Sequence, residues 1–163
     1  MRPENLAPWS GDWAWGIPLI VATVIMHVFG LGLIKGRAEK VMRYGWMHQA
    51  LSIAGVTLSI TFLHSLEVCL WALVFQFLKA VPDFQTAMLY SLNALTAFGH
   101  TDVQLERQWQ LMGAMESLNG WILFGLSTAY LFALIQRIWS HPVGISQGEV
   151  SSAPPFSLGA SAQ

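Results

Sequence analysis

Three ionisable side chains lie within stretches of sequence that are otherwise apolar: His27, His64 and Glu67. Ionisable groups are costly in an apolar medium unless they are paired, so each of them marks a candidate functional site. His64 and Glu67 are three residues apart and therefore share one face of a helix. This spacing predicts a polar pair that either supports a neighbouring functional element or joins two helices as a structural contact.

Two histidines could also ligate a haem or a metal ion, and this depends on their depth in a membrane. Counting from the ends of their apolar stretches places His27 about 10 Å and His64 about 21 Å from the same side. Axial haem ligands lie at similar depth, and the histidines and the single cysteine, Cys69, show no zinc-ligand spacing. We therefore expect no haem, no metal and no other cofactor, and the role of His27 stays open.

The composition places these residues in a membrane protein. Of the 163 residues, 54% are hydrophobic and only 10% are charged, and the net charge of −1 gives no reason to expect nucleic-acid binding. Crossing a bilayer takes about 20 residues, and three apolar stretches are long enough, at 13–34, 50–78 and 118–138. The sequence therefore predicts an all-α integral membrane protein with three transmembrane helices in contact with the lipid bilayer.

Basic residues after the first span predict the orientation. The stretch after the first span contains four basic residues and one acidic residue: Lys35, Arg37, Lys40 and Arg43, with Glu39. Because cytoplasmic loops are enriched in lysine and arginine, we expect a multi-pass protein of the cell membrane with this loop and the C-terminus in the cytoplasm. The N-terminus and the 79–117 connection then lie outside. The polar tail at 140–163 is expected to be disordered.

A short apolar segment lies between the second and third spans. Pro82-Asp83 opens it, and the Asp83 carboxylate is suited to cap the first turn of a helix. The helix predicted from Phe84 to about Leu95 is about 18 Å long, too short to cross the bilayer. Such a helix either lies on the outer surface or re-enters the membrane, where its backbone must be buried in protein or line a watery cavity.

The residues at 90–103 resemble the pore loop of potassium channels, whose filter normally reads T-V-G-Y-G-D. The likeness extends over about 64–139, where His64, Glu67 and Trp71 match a pattern in small three-span bacterial channel-like proteins. By this resemblance, seven residues form the ion pathway: Thr96, Ala97, Phe98, Gly99, His100, Thr101 and Asp102.

The resemblance implies a re-entrant pore helix and filter loop between the second and third spans, and self-association into a homotetramer. It places the pore module at about 50–139 within a single domain, 1–139. His64, Glu67 and Trp71 would then support the filter from behind. Gly120 and Gly125 in the third span are either hinges of an inner helix or points of close helix packing.

Two substitutions in this loop bear on ion selectivity. Ala97 stands where the family has a threonine whose hydroxyl forms the innermost ion site, and Thr101 stands where it has a second glycine. A β-branched residue tolerates positive φ poorly. We therefore expect a passive channel for monovalent cations, for potassium by resemblance, with weakened selectivity.

Two other classes of function remain as alternatives. A non-conducting assembly or regulatory membrane protein would keep the fold of the pore loop and lose the filter. A membrane enzyme is the third hypothesis, but the sequence shows no nucleophile–base constellation and no phosphate-binding loop. We expect no enzymatic activity.

Overall fold

The computed structural model describes residues 9–41, 46–99 and 103–139, and these residues form an all-α fold. Four α-helices and one short 3₁₀ turn follow in chain order: α1 (Ser10–Val41), α2 (Trp46–Phe77), α3 (Phe84–Leu95), the turn Arg107–Trp109, and α4 (Gln110–Trp139). Three stretches are long and apolar enough to cross a membrane: Ser10–Gly36, Met47–Phe77 and Arg107–Arg137. The three candidate spans and the short helix between the second and third are confirmed.

The contacts between helices fix their directions. Asp12 bonds Met112 and Thr23 bonds Asn119, so residue numbers rise together along α1 and α4. α2 runs the opposite way, because Val68 packs against Leu123 while residues nearer its start pack against the later part of α4. The start of α1, the end of α2 and the start of α4 therefore share one end of the bundle. The ends of α1 and α4 share the other end.

Two of the helices end in Schellman motifs formed by residues other than glycine. At the end of α2, Lys79 N–H donates to the Gln76 carbonyl at 3.1 Å and Ala80 N–H donates to the Phe75 carbonyl at 2.9 Å. Lys79 accordingly has φ of 54°, a conformation that only glycine adopts without cost. The turn sends the chain back toward the bundle at the start of α3.

Asp83 begins α3 as the sequence predicts. Its backbone is extended, and its side chain accepts hydrogen bonds from the backbone N–H of Thr86 at 2.9 Å and from the Thr86 hydroxyl at 2.8 Å. These bonds favour the ionised carboxylate and hold the pKa of Asp83 below its usual range. The predicted bounds of this helix, Phe84 to Leu95, are confirmed.

The largest buried apolar cluster lies between α2, α3 and α4, with a contribution from α1. Trp71 and Phe75 of α2 are fully buried in it, beside Ala87 and Tyr90 of α3 and Met112 of α4. The Phe75 and Tyr90 rings meet edge to face with centroids 5.5 Å apart. This packing attaches α3 along its length to the two helices that flank it in sequence.

Large apolar side chains cover the outward faces of the long helices. Phe29, Leu58 and Trp121 are each about two-thirds exposed or more, at 68%, 71% and 71%. A soluble monomer rarely exposes apolar patches of this extent. Lipid, or other subunits within lipid, is the environment that these faces suit.

Candidate functional site

The loop after α3 begins near the middle of the two helices beside it. Leu95, the last residue of α3, is buried against Val68 of α2 and Leu123 of α4. Leu123 lies about 20 Å along α4 from its start, so α3 does not simply cover the end of the bundle. The residues that follow, 96–99, are exposed on the surface of the single chain, and Phe98 is 83% exposed.

A second Schellman motif, not an extended strand, leads out of α3. Ala97 N–H donates to the Ala94 carbonyl at 2.9 Å, and Phe98 N–H donates to the Asn93 carbonyl at 3.0 Å. Ala97 takes the left-handed position with φ of 51°, and Gly99 follows with φ of 97°. The backbone directly after Thr96 is therefore not extended, because the turn uses the last carbonyls of α3. His100, Thr101 and Asp102 lie outside the described residues.

Gly120 and Gly125 occupy different surroundings. A Cβ atom at Gly120 would overlap the backbone carbonyl of Leu95, so this glycine permits the close approach of α3 to α4. A Cβ atom at Gly125 would meet nothing within 4 Å. Of the two predicted roles, close packing therefore describes Gly120, while a hinge role at either position stays a prediction.

The three ionisable residues of the apolar spans come together in one buried cluster with Ser127 of α4. His27 Nδ1 lies 2.7 Å from Glu67 Oε1, and His64 Nδ1 lies 2.7 Å from Glu67 Oε2. The Nε2 atoms of both histidines lie 3.1 Å from the Ser127 hydroxyl oxygen. We call these four residues the polar cluster. His27 and Glu67 are fully buried, and the His64 side chain is 11% exposed.

Comparison of the chain with protein-family models, with curated proteins and with solved structures gives no significant match. The resemblance to potassium channels therefore rests on the residues of the loop and of the second and third spans alone.

The depth argument that separated His27 from His64 is wrong. The centroids of their rings are 5.1 Å apart. The error arose because both helices extend beyond their apolar stretches. His27 is 14 residues from the end of α1 at Val41, and His64 is 18 residues from the start of α2 at Trp46. The difference in depth is then about 6 Å, which two side chains span.

The polar cluster lies one helical turn from the end of α3. Val24, Val68 and Leu123 form the apolar layer around Leu95. His27 and Ser127 follow this layer by three and four residues, and His64 precedes it by four on α2, which runs the opposite way. The pair His64 and Glu67 thus joins α2 to α1 and α4 and does not bond the part of the loop that is described, 96–99. Trp71 instead packs in the apolar cluster that holds α3. The prediction that these residues support the loop remains open. They would do so by fixing the positions of the helices that hold α3.

The hydrogen bonds of the polar cluster leave one contact without a hydrogen atom. Two neutral imidazoles supply one hydrogen each, the serine hydroxyl supplies one, and an ionised carboxylate supplies none. Three hydrogens serve four donor–acceptor contacts, two at Glu67 and two at Ser127. One further hydrogen on a ring nitrogen, or a cation bound to the two Nδ1 atoms, would satisfy every contact.

Sequence reasoning missed two buried acidic residues that lie between this cluster and the starts of α1 and α4. Asp12 is 1% exposed and accepts a hydrogen bond from the Met112 backbone N–H at 2.9 Å, which caps the first turn of α4 from a different helix. Glu116 is fully buried and faces Ser91, without a hydrogen bond of ordinary geometry to its carboxylate oxygens within the described residues. An acidic residue two positions before the predicted third span was the signal for Glu116.

Proposed function

We propose that this chain is one subunit of a membrane pore for monovalent cations, in which α3 and the loop after it line the pathway. The observation that carries the proposal is the position of Leu95, buried against Val68 and Leu123 well inside the two long helices. A short helix that ends at this depth is re-entrant. Its C-terminal end carries a partial negative charge, which favours a cation beside it.

The exposed loop supports assembly of several such subunits. Phe98 and its neighbours from Thr96 to Gly99 are exposed in the single chain. Backbone at membrane depth must be buried in protein or line a watery cavity. One loop cannot enclose a pathway, so the exposed surface is best covered by further copies arranged around an axis. A homotetramer is the assembly that the resemblance to potassium channels implies.

The selectivity of this pore is expected to be low. Ala97 offers no hydroxyl group, and its left-handed conformation directs the chain away from the straight filter strand of potassium channels. Reconstituted protein should therefore conduct potassium and sodium to a similar extent, as bi-ionic reversal potentials in planar bilayers measure. The double change Ala97→Thr with Thr101→Gly is expected to shift the reversal potential toward potassium selectivity.

Gly99 provides a test of the loop with a matched control. Its φ of 97° is one that L-residues rarely adopt, so Gly99→Ala should alter conductance or selectivity. Gly55 lies in α2 with open space around it, and Gly55→Ala should leave both unchanged. Equal conductance of wild type, Gly99→Ala and Gly55→Ala would exclude the loop from the ion pathway.

A non-conducting assembly protein is the second candidate, and one observation favours it. The carbonyls of Leu92, Asn93 and Ala94 already accept hydrogen bonds from the residues that follow α3. Fewer carbonyl oxygens are then free for a cation. If chemical cross-linking shows a defined oligomer in liposomes and no ion flux accompanies it, this second candidate replaces the first.

A further inference from the structure

We infer that the polar cluster binds one divalent transition-metal ion of the zinc class through His27 Nδ1, His64 Nδ1 and the Glu67 carboxylate. Each of these three residues offers one ligand atom, a ring nitrogen or a carboxylate oxygen, and one such set of three atoms lies within 4.8 Å of one another. Two histidines and one glutamate form a ligand set found in zinc sites. The inference is independent of the proposed conduction, because metal binding is measured without ion flux.

The ligand atoms of the polar cluster lie close enough together to share an ion after a rearrangement of less than about 1 Å. Each Nδ1 atom lies 2.7 Å from one oxygen of the same carboxylate. Two ligand atoms about 2.1 Å from one ion are about 3.4 Å apart at the tetrahedral angle that zinc favours. Each pair of Nδ1 and oxygen atoms therefore opens by about 0.7 Å when an ion enters between them. Nitrogen ligands favour zinc-class ions over magnesium and calcium, which prefer oxygen alone.

Ser127 completes the site from the other side of both rings. When one metal ion is bound by both Nδ1 atoms, the Nε2 atom of each ring carries a hydrogen. Both Nε2–H groups can then donate to the Ser127 hydroxyl oxygen, which has two lone pairs. The two Nε2 atoms lie at the same 3.1 Å distance from that oxygen. Ligating histidines are usually fixed by such a bond from the second ring nitrogen. One ion bound by both Nδ1 atoms thus satisfies the hydrogen count without an extra proton.

Access to the site runs past His64. Its side chain is 11% exposed, whereas the side chains of His27 and Glu67 are fully buried. The Phe124 ring lies beside the His64 ring, with centroids 4.5 Å apart. Phe124 is 38% exposed, so its ring lies between the exposed face of the bundle and the His64 ring.

Metal content of the full-length chain, purified in detergent without a histidine tag, tests the inference. After removal of metal with a chelator, the protein is titrated with Zn²⁺ and the bound ion is counted by mass spectrometry. Co²⁺ in place of Zn²⁺ should give visible d–d absorption from nitrogen and oxygen ligands. We expect one ion per chain. His27→Gln or Glu67→Gln should abolish this binding.

Matched variants separate this site from binding elsewhere. Ser127→Ala removes only the hydroxyl that positions both rings and should weaken Zn²⁺ binding about 10–100-fold, which keeps the test decisive if a ligand variant fails to fold. His48→Gln changes an exposed histidine of the same helix as His64, and Glu116→Gln changes another buried glutamate; both should bind Zn²⁺ as the wild type does.

Four results would overturn the inference. Folded wild-type protein that takes up no Zn²⁺ or Co²⁺ would show that a proton supplies the missing hydrogen of the polar cluster. Retention of the ion by the His27→Gln variant would place the site elsewhere. Unchanged affinity for Zn²⁺ in Ser127→Ala, or loss of the ion in His48→Gln, would also place the site elsewhere.

Discussion

Replacement of Gly120 by alanine tests whether α3 enters the bundle as deeply as its contacts indicate. A Cβ atom at this position would overlap the carbonyl oxygen of Leu95 and approach the carbonyl carbon and Cα atoms of the same residue. These are backbone atoms, which cannot rotate away as a side chain would. To accept the methyl group, the end of α3 must move away from α4.

Gly125→Ala on the same helix supplies the reference for this change. Both substitutions gain about 1 kcal/mol of helix propensity, and Gly125 has open space around it. The gain cancels in the comparison, so the difference between the two variants measures the overlap alone. Overpacking in a well-packed interior costs about 1–3 kcal/mol. We therefore expect Gly120→Ala to be less stable than Gly125→Ala by about that amount.

Unfolding by SDS in mixed micelles, followed by tryptophan fluorescence at a protein concentration where the chain is monomeric, gives the two free energies of unfolding. Working with monomers removes any contribution from a neighbouring subunit near Gly125. If Gly120→Ala is as stable as Gly125→Ala, α3 does not approach α4 at Leu95. The observation on which the proposed pore rests would then be lost.

Three further predictions concern the loop, its helix and the membrane orientation. Ala97→Gly should raise the free energy of unfolding by about 1 kcal/mol, because glycine takes the left-handed conformation at little cost; lower stability would contradict the Schellman turn. Asp83→Ala should lower the melting temperature at neutral pH, unlike Asp83→Ser, which keeps a cap. Since the pKa of Asp83 is lowered by folding, its contribution is present above the unfolded pKa and lost as pH falls through the folded one, so wild type and Asp83→Ala should converge in acid. A cysteine at Gln104, but not one at Arg37, should react with an impermeant reagent from outside in a Cys69-free background; the reverse pattern would invert the orientation.

Local signals in the sequence were sufficient for the helices but not for the polar cluster. Asp83 caps α3 through bonds to its own first turn, so a few consecutive residues predict both the cap and the helix. The position of His27 depends on how far α1 continues beyond its apolar stretch and on the angle between helices. Neither quantity is a property of a short window of sequence, and the depth count failed for that reason.

The orientation of the Ser127 side chain likewise could not be predicted from a short window of sequence. The sequence allows this hydroxyl to bond its own helix or to face the interior, and periodicity does not separate the two when neighbouring positions are also polar. Three helices must be placed before both histidines and the serine are seen to converge. The hydrogen count that points to a missing positive group becomes available only then.

The pairing of the first and last helices has a consequence for biosynthesis. Asp12, Thr23 and His27 all bond residues of α4 that lie about a hundred positions later in the chain. Before α4 is made, the Asp12 carboxylate lacks the Met112 N–H, whereas Thr23 already bonds the Leu19 carbonyl and His27 can already pair with Glu67 of α2. A nascent chain that stops before α4 therefore presents an uncapped Asp12 carboxylate and a polar cluster without Ser127, which distinguishes an incomplete product from a finished one at the stage of membrane insertion.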